Sequence, residues 1–237
     1  MGYTIPNFGK EKNGDSFLFE QLEEENILIA VVADGVSQQP CDWLASLTTC
    51  QTLVDHFKKN ISQHADIEKR LLESVMFANK HVALTEGKCR KMASTLSVIV
   101  YSQLLNKIYY ANIGDSRIYS LSNGMLEQLT IDNVMIRKER VLTNAGIRLI
   151  DKPILTQVIG QDNISCKINV KSVQTGEVII LATDGFYEAR KAVFTKLITE
   201  FGEVDDFKEG FIKLIGQMKI LRGDDLTAIA VKILTSQ

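Results

Sequence analysis

Two apolar runs with the same ending constrain this chain more than any other feature. ILIAVV leads into Ala33-Asp34-Gly35, and VIILA leads into Thr183-Asp184-Gly185. Such a run predicts a buried strand that emerges into a turn, where glycine frees the backbone. A carboxylate at that point is held rigidly by the strand behind it. Asp15 in NGDSFLF and Asp224 in GDDLTAIAVKI also fall at strand boundaries. Asp-Gly is an ordinary turn signal, and a single copy would be read as structural. Four boundary aspartates together predict a site for hard divalent cations, which prefer oxygen ligands and can be held as a pair by clustered carboxylates.

The 237 residues suit one domain spanning 1–237, with ample apolar content for a core. Lys and Arg number 27 against 29 Asp and Glu, and no basic block points to nucleic acid. The longest apolar stretch, ILIAVVA, is far short of the roughly 20 residues that span a bilayer, and MGYTIPNFGKEK lacks a secretory apolar region. The expectation is a soluble cytoplasmic monomer without a membrane partner. Cys41, Cys50, Cys89 and Cys166 show no metal-ligand spacing and are read as free thiols. His56, His64 and His81 lie far from the aspartates in sequence and are assigned structural roles.

From Asp15 to Ala33 the pattern is strand, charged turn EEEN, strand, a hairpin. Residues 41–58 place Trp43, Leu44, Leu47, Cys50, Leu53, Val54 and Phe57 at helical spacing, with Trp43 expected in the core. A second amphipathic helix carries Ile67, Leu71, Val75, Ala78 and Val82, with Asp66 as its cap. Residues 94–130 read as an antiparallel meander with a turn at Asn123-Gly124. Residues 131–163 are weakly periodic and predict a helical or irregular insert bordering the site. Strands near 164–171 and 178–182, helices around Val193–Phe201 and Phe207–Met218, and a last strand LTAIAVKIL complete the pattern. This describes an α+β protein with stacked antiparallel sheets covered by helices.

The order of motifs resembles the PPM family, the metal-dependent Ser/Thr protein phosphatases also called type 2C, in their compact bacterial form. NGDS at 13–16, VVADGVS at 31–37, STLSVIV, NIGDSRIY at 112–119, EQLTIDN, LTQVIG, LATDGFYE and GDDLTAIAV follow one another as the family's motifs do. The resemblance implies a four-layer αββα sandwich with two Mn²⁺ or Mg²⁺ ions at one edge of the sheets. It implies that Asp34 bridges both ions, that the Gly35 carbonyl and Asp184 help complete the site, and that Asp15 and Asp224 bind directly or through water. Asp34, Asp184 and Asp224 are thus the catalytic candidates, and Asp115 matches the position of a third, looser ion. The implied reaction is hydrolysis of phosphoserine and phosphothreonine in a phosphoprotein, opposing a Ser/Thr kinase, by water that the metal pair activates.

Some positions depart from the family pattern. Lys10 falls where many relatives have a phosphate-holding arginine, and lysine keeps the charge without the bidentate fork. Val36 replaces the general-acid histidine of eukaryotic members, Ser37-Gln38 replaces Gly-Gly, and Asn133 replaces a common histidine. Asp225 replaces the usual asparagine, is open to reading as an alternative ligand or as a solvated neighbour of Asp224, and is read as the latter. The altered loop and Lys10 leave open a non-catalytic alternative, a pseudophosphatase that binds phosphoproteins or senses metal.

Overall fold

The computed structural model describes residues 1–7, 9–60, 66–143, 146–188, 193–219 and 224–234. His64 lies outside them. In chain order the strands are β1 (Gly2–Ile5), β2 (Asp15–Leu22), β3 (Ile27–Asp34), β4 (Leu96–Ser102), β5 (Lys107–Ile113), β6 (Arg117–Ser122), β7 (Met125–Gln128), β8 (Val134–Thr143), β9 (Gly146–Leu155), β10 (Asn169–Ser172), β11 (Val178–Ala182) and β12 (Leu226–Lys232). The helices are α1 (Asp42–Lys59) and α2 (Ile67–Ala83), between β3 and β4, and α3 (Asp184–Tyr187), α4 (Phe194–Gly202) and α5 (Phe207–Lys219), between β11 and β12.

Alternation along the central strands generates the layers. In β3, Ile27, Ile29, Val31 and Ala33 turn to one side and pack with Leu53, Val54 and Phe57 of α1 and Leu71, Val75 and Val82 of α2. Ala30 and Val32 turn the other way, toward Ile179 and Leu181 of β11 and Ile229 of β12. The other faces of β11 and β12, with Val178, Ile180, Ala182, Leu226 and Ala228, meet Ile198, Phe201, Phe211 and Leu214 of α4 and α5. Period-2 side-chain direction therefore yields three apolar interfaces and the expected four-layer αββα sandwich.

The sheets run β10-β5-β4-β3-β2 and β1-β12-β11-β6-β7, with every pairing antiparallel. β1, too short to stand out in the sequence, is stitched along β12 from Gly2↔Ile229 to Ile5↔Leu226. The Asn123-Gly124 turn joins β6 to β7 with both residues at positive φ, 52° and 72°. Asp66 caps α2, accepting hydrogen bonds from the backbone N–H groups of Glu68 and Lys69. Arg70, fully buried between α2 and α1, donates to the Phe57 carbonyl and makes a two-pronged bond to Glu25, so its charge is paired.

Several expectations need correcting. Residues 134–143 and 146–155 form an antiparallel strand pair, the β8–β9 hairpin, running from Val134↔Leu155 to Thr143↔Gly146, where a helical or irregular insert was expected over 131–163. The strand expected at 164–171 is confined to Asn169–Ser172. Trp43 is half-buried at the sandwich edge, with the Lys12 ammonium 3.6 Å from its ring centroid, so the indole serves a cation in place of the core. Cys41 and Cys89 form a disulfide with Cα atoms 5.4 Å apart, while Cys50 and Cys166 are free as expected. No described helix is long and apolar enough to cross a membrane.

Candidate metal centre

The register of β2 and β3 sets Asp15 directly opposite Asp34 at the end of the helix-facing sheet. Asp184 follows β11 and Asp224 precedes β12, neighbouring antiparallel strands of the other sheet. One end of the sandwich thus gathers carboxylates from both sheets. The two halves are joined by Thr183, whose hydroxyl donates to Asp15 Oδ2 across the sheet gap at 2.8 Å.

The backbone at Asp34 is held firmly. Its N–H donates to Thr95 Oγ1 at 2.9 Å and its carbonyl accepts from the Thr95 N–H at 2.7 Å. Thr95 Oγ1 in turn lies 2.6 Å from Ser116 Oγ. The glycines that follow each run answer a spatial need. A Cβ on Gly35 would lie 2.1 Å from the Asp42 carbonyl oxygen, and one on Gly185 would lie 1.8 Å from that of Asp225. Only glycine lets those backbones approach so closely.

Electrostatics show how tightly the acids converge. Burial pushes the Asp34 carboxyl well above the usual range, and the charges of Asp15, Asp184 and Asp224 raise it further. Burial lifts Asp15 to about 7 against hydrogen bonds from Thr183 and Thr227, and lifts Asp184 to about 6 with help from the charges of Asp115 and Asp224. One oxygen of Asp15 and one of Asp184 are buried without a hydrogen-bond partner. Buried carboxylate oxygens left so are costly unless a cation takes them up. Hard, anionic and strand-anchored, this donor set fits a divalent metal. Among the described residues no three His, Cys, Asp or Glu side chains stand as a finished ligand shell.

Asp115 sits half-buried in the turn between β5 and β6, and its charge raises the pKa of Asp184. Its carbonyl accepts from the Tyr187 hydroxyl at 3.0 Å, while Arg117 lies over the Tyr187 ring and grips Asp132. Lys10 stands at the rim, 2.7 Å from Asp225 Oδ2 and 3.7 Å from Asp224 Oδ1. Its partial burial opposes the charge, but the hydrogen bond and charge of Asp225 outweigh that and raise its pKa.

Asp225 corrects the sequence reading. It is 3% exposed and accepts from the Asn7 and Gly14 N–H groups as well as from Lys10, so it is a buried organiser and not a solvated neighbour. Asn133 is a second residue whose role escaped the sequence. Its side chain accepts from the Gly114 N–H and its backbone N–H donates to the Gly114 carbonyl, pinning the root of β8 beside Asp115. Neither residue carries a sequence signal beyond its place in a motif.

An αββα sandwich with acidic side chains from both sheets meeting at one edge defines a phosphoprotein phosphatase of the metal-dependent class. The chain matches the model of the protein phosphatase 2C family over residues 9–225 and belongs to that family. It is 28% identical over 185 residues to the serine/threonine phosphatase stp of Listeria monocytogenes, covering 74% of this chain and 71% of the relative. A crystal structure of a bacterial serine phosphatase superposes with TM-score 0.79 at 18% identity, covering 100% of this chain and 98% of the other. The catalytic domain of the serine/threonine phosphatase PstP, solved with two manganese ions, gives TM-score 0.72 at 16% identity over 99% of this chain and 97% of its own. At these identities the structural matches establish the fold.

Proposed function

We propose that this chain removes phosphate from phosphoserine and phosphothreonine in proteins with the help of two Mn²⁺ or Mg²⁺ ions, acting on the products of a Ser/Thr kinase. The observation that carries the reading is the meeting of Asp15, Asp34, Asp184 and Asp224 from opposite sheets, with two buried oxygens unpartnered. Asp34, whose carboxyl feels the charges of Asp15, Asp184 and Asp224, would hold the ions together with those three acids and the Gly35 carbonyl. Divalent cations would offset the repulsion that holds the acids apart.

When bound, the metal pair supplies positive charge for the phosphoryl oxygens and lowers the pKa of water to make a nucleophile. The chain does the rest. Rigid strand ends fix the ligand positions, and the Thr95 clamp prevents Asp34 from drifting, which matters because small misplacement is costly in rate. Lys10 has three donors and gives one to Asp225, leaving the others for a phosphate oxygen at the rim. Asp115, whose charge reaches Asp184, would serve a third, more loosely held ion.

The test is Mn²⁺-dependent hydrolysis of p-nitrophenyl phosphate by wild type and Asp34→Asn. A metal contribution of several kcal/mol corresponds to a loss of about 10³-fold in kcat/KM. Calorimetry should show Mn²⁺ binding to wild type and its weakening in the variant. Equal rates for the two proteins reject the assigned site; metal binding without turnover selects the non-catalytic reading.

A further inference from the structure

The β8–β9 hairpin is anomalous in a water-soluble fold. Its two strands pair with each other over ten residues each, and no third strand joins them among the described residues. Met135, Ile136, Leu142, Ile147, Leu149 and Ile150 are all exposed, from 44% to 80%. A lone two-stranded ribbon is marginal in water, and open edges flanked by aliphatic side chains invite another strand.

Charge narrows what that strand can be. The hairpin carries Arg137, Lys138, Arg140, Arg148 and Lys152 against Glu139 and Asp151, a surplus of three positive charges in a chain whose net charge is −2. Arg137 stands directly opposite Lys152 in register, an arrangement that costs stability unless an anion lies nearby. Lys152 leans to Glu139 at 3.1 Å, and among the described residues no salt bridge engages Arg137, Lys138, Arg140 or Arg148. Position supplies the remaining constraint, since the hairpin root is bonded through Asn133 to Gly114, next to Asp115 and the carboxylate cluster. A polypeptide held along this hairpin would have its phosphorylated residue delivered to the site.

We propose that the β8 edge of the hairpin takes an extended, acidic and aliphatic segment of the phosphoprotein substrate as a third strand, so that this chain prefers phosphosites flanked by Asp and Glu. The inference rests on the phosphatase reading and names its substrate class. β8 is the edge chosen because it holds Arg137, Lys138 and Arg140 and no proline, whereas β9 contains Pro153, which has no N–H to donate. Backbone bonding gives strand addition its affinity and the alternating side chains give it selectivity.

The experiment compares two phosphothreonine peptides, one flanked by Asp, Glu and Val and the other by Lys, Arg and Val, with p-nitrophenyl phosphate as the small substrate. Two variants are needed: Arg137→Glu with Arg140→Glu, and a hairpin shortened between Lys138 and Asp151 by an Asn-Gly turn. Wild type should favour the acidic peptide by at least tenfold in kcat/KM, with the advantage shrinking as salt is raised. Both variants should lose at least fivefold of that preference while hydrolysing p-nitrophenyl phosphate within twofold of wild type.

Equal kcat/KM for the two peptides, or a preference that survives charge reversal, overturns the proposal. So does sedimentation showing a wild-type dimer that the shortened hairpin abolishes, which would assign the edge to a second copy. Failure of wild type on p-nitrophenyl phosphate would instead sink the phosphatase reading. Fluorescence anisotropy of the labelled peptides in chelator decides hairpin binding in that case too: tighter binding of the acidic peptide, lost in both variants, supports it, and equal binding overturns it.

Discussion

Lys10 and Asp225 are joined at 2.7 Å across the open end of the sandwich, tying the loop before β2 to the start of β12. The carboxylate is 3% exposed and also receives the Asn7 and Gly14 N–H groups, so it organises the whole approach to Asp15. Asp225→Ala leaves those donors without their acceptor and should cost about 3 kcal/mol in a denaturant melt, given ~1–3 kcal/mol for each buried unsatisfied group. Asp225→Asn keeps an acceptor oxygen but removes the charge that holds Lys10. It should raise KM for phosphopeptides more than it lowers kcat, and Lys10→Met should do the same without adding to it in the double variant. Additive effects would mean that the two residues act separately.

The pH dependence of stability has a definite sign in metal-free protein. Folding raises Asp15 to about 7 and Asp184 to about 6, and it raises Asp34 well above the same ordinary value of 3.8. Above pH 4 the unfolded chain sheds protons that the folded chain keeps, so stability falls as pH rises through 7. The penalty is absent below the unfolded value and complete above the folded ones. Thermal melts in chelator should therefore show wild type losing ground to Asp34→Asn between pH 4.5 and 7.5. Because ligands bind metal deprotonated, the Mn²⁺-induced rise in Tm should grow over the same interval. An identical Mn²⁺ shift at pH 5 and pH 7.5 would contradict this assignment.

Gly35→Ala and Gly185→Ala each drive a methyl into a backbone carbonyl, at 2.1 and 1.8 Å. Overpacking of this kind costs about 1–3 kcal/mol, and here it also displaces backbone at or beside the proposed metal ligands. Both variants should bind Mn²⁺ at least tenfold more weakly by calorimetry. Gly216→Ala in α5 is the control, since nothing lies within 4 Å of its added methyl. It should gain about 0.5–1 kcal/mol from helix propensity and leave metal binding unchanged.

The Cys41–Cys89 disulfide closes a 48-residue span containing α1 and α2. Loop-closure entropy for such a span gives up to about 4 kcal/mol. Cys41→Ser with Cys89→Ser should melt several degrees lower than oxidised wild type, and reduced wild type should match the variant. Peptide mapping without reductant should recover the linked pair.

Much of the architecture could be read from local patterns. The strands leading to Asp34 and Asp184, the Asp66 cap and the Asn123-Gly124 turn all declare themselves within a few residues, through apolar runs or backbone demands that neighbours cannot change. What escaped was decided by contacts between distant segments. Cys41 and Cys89 meet only because α1 and α2 fold back on each other, and β1 exists only because β12, more than 200 residues later, receives it. Asp225 looked solvated because its partners, Asn7, Lys10 and Gly14, come from the opposite end of the chain. The β8–β9 hairpin escaped for another reason: with both faces exposed, nothing imposes the apolar alternation by which a strand is recognised.

The bond from Thr183 to Asp15 joins the two sheets at the very point where their acids meet. Because β12 lies between β1 and β11, the sheet that carries Asp184 and Asp224 closes only when segments more than 200 residues apart have met, so the acids of the two sheets face one another only in the folded domain.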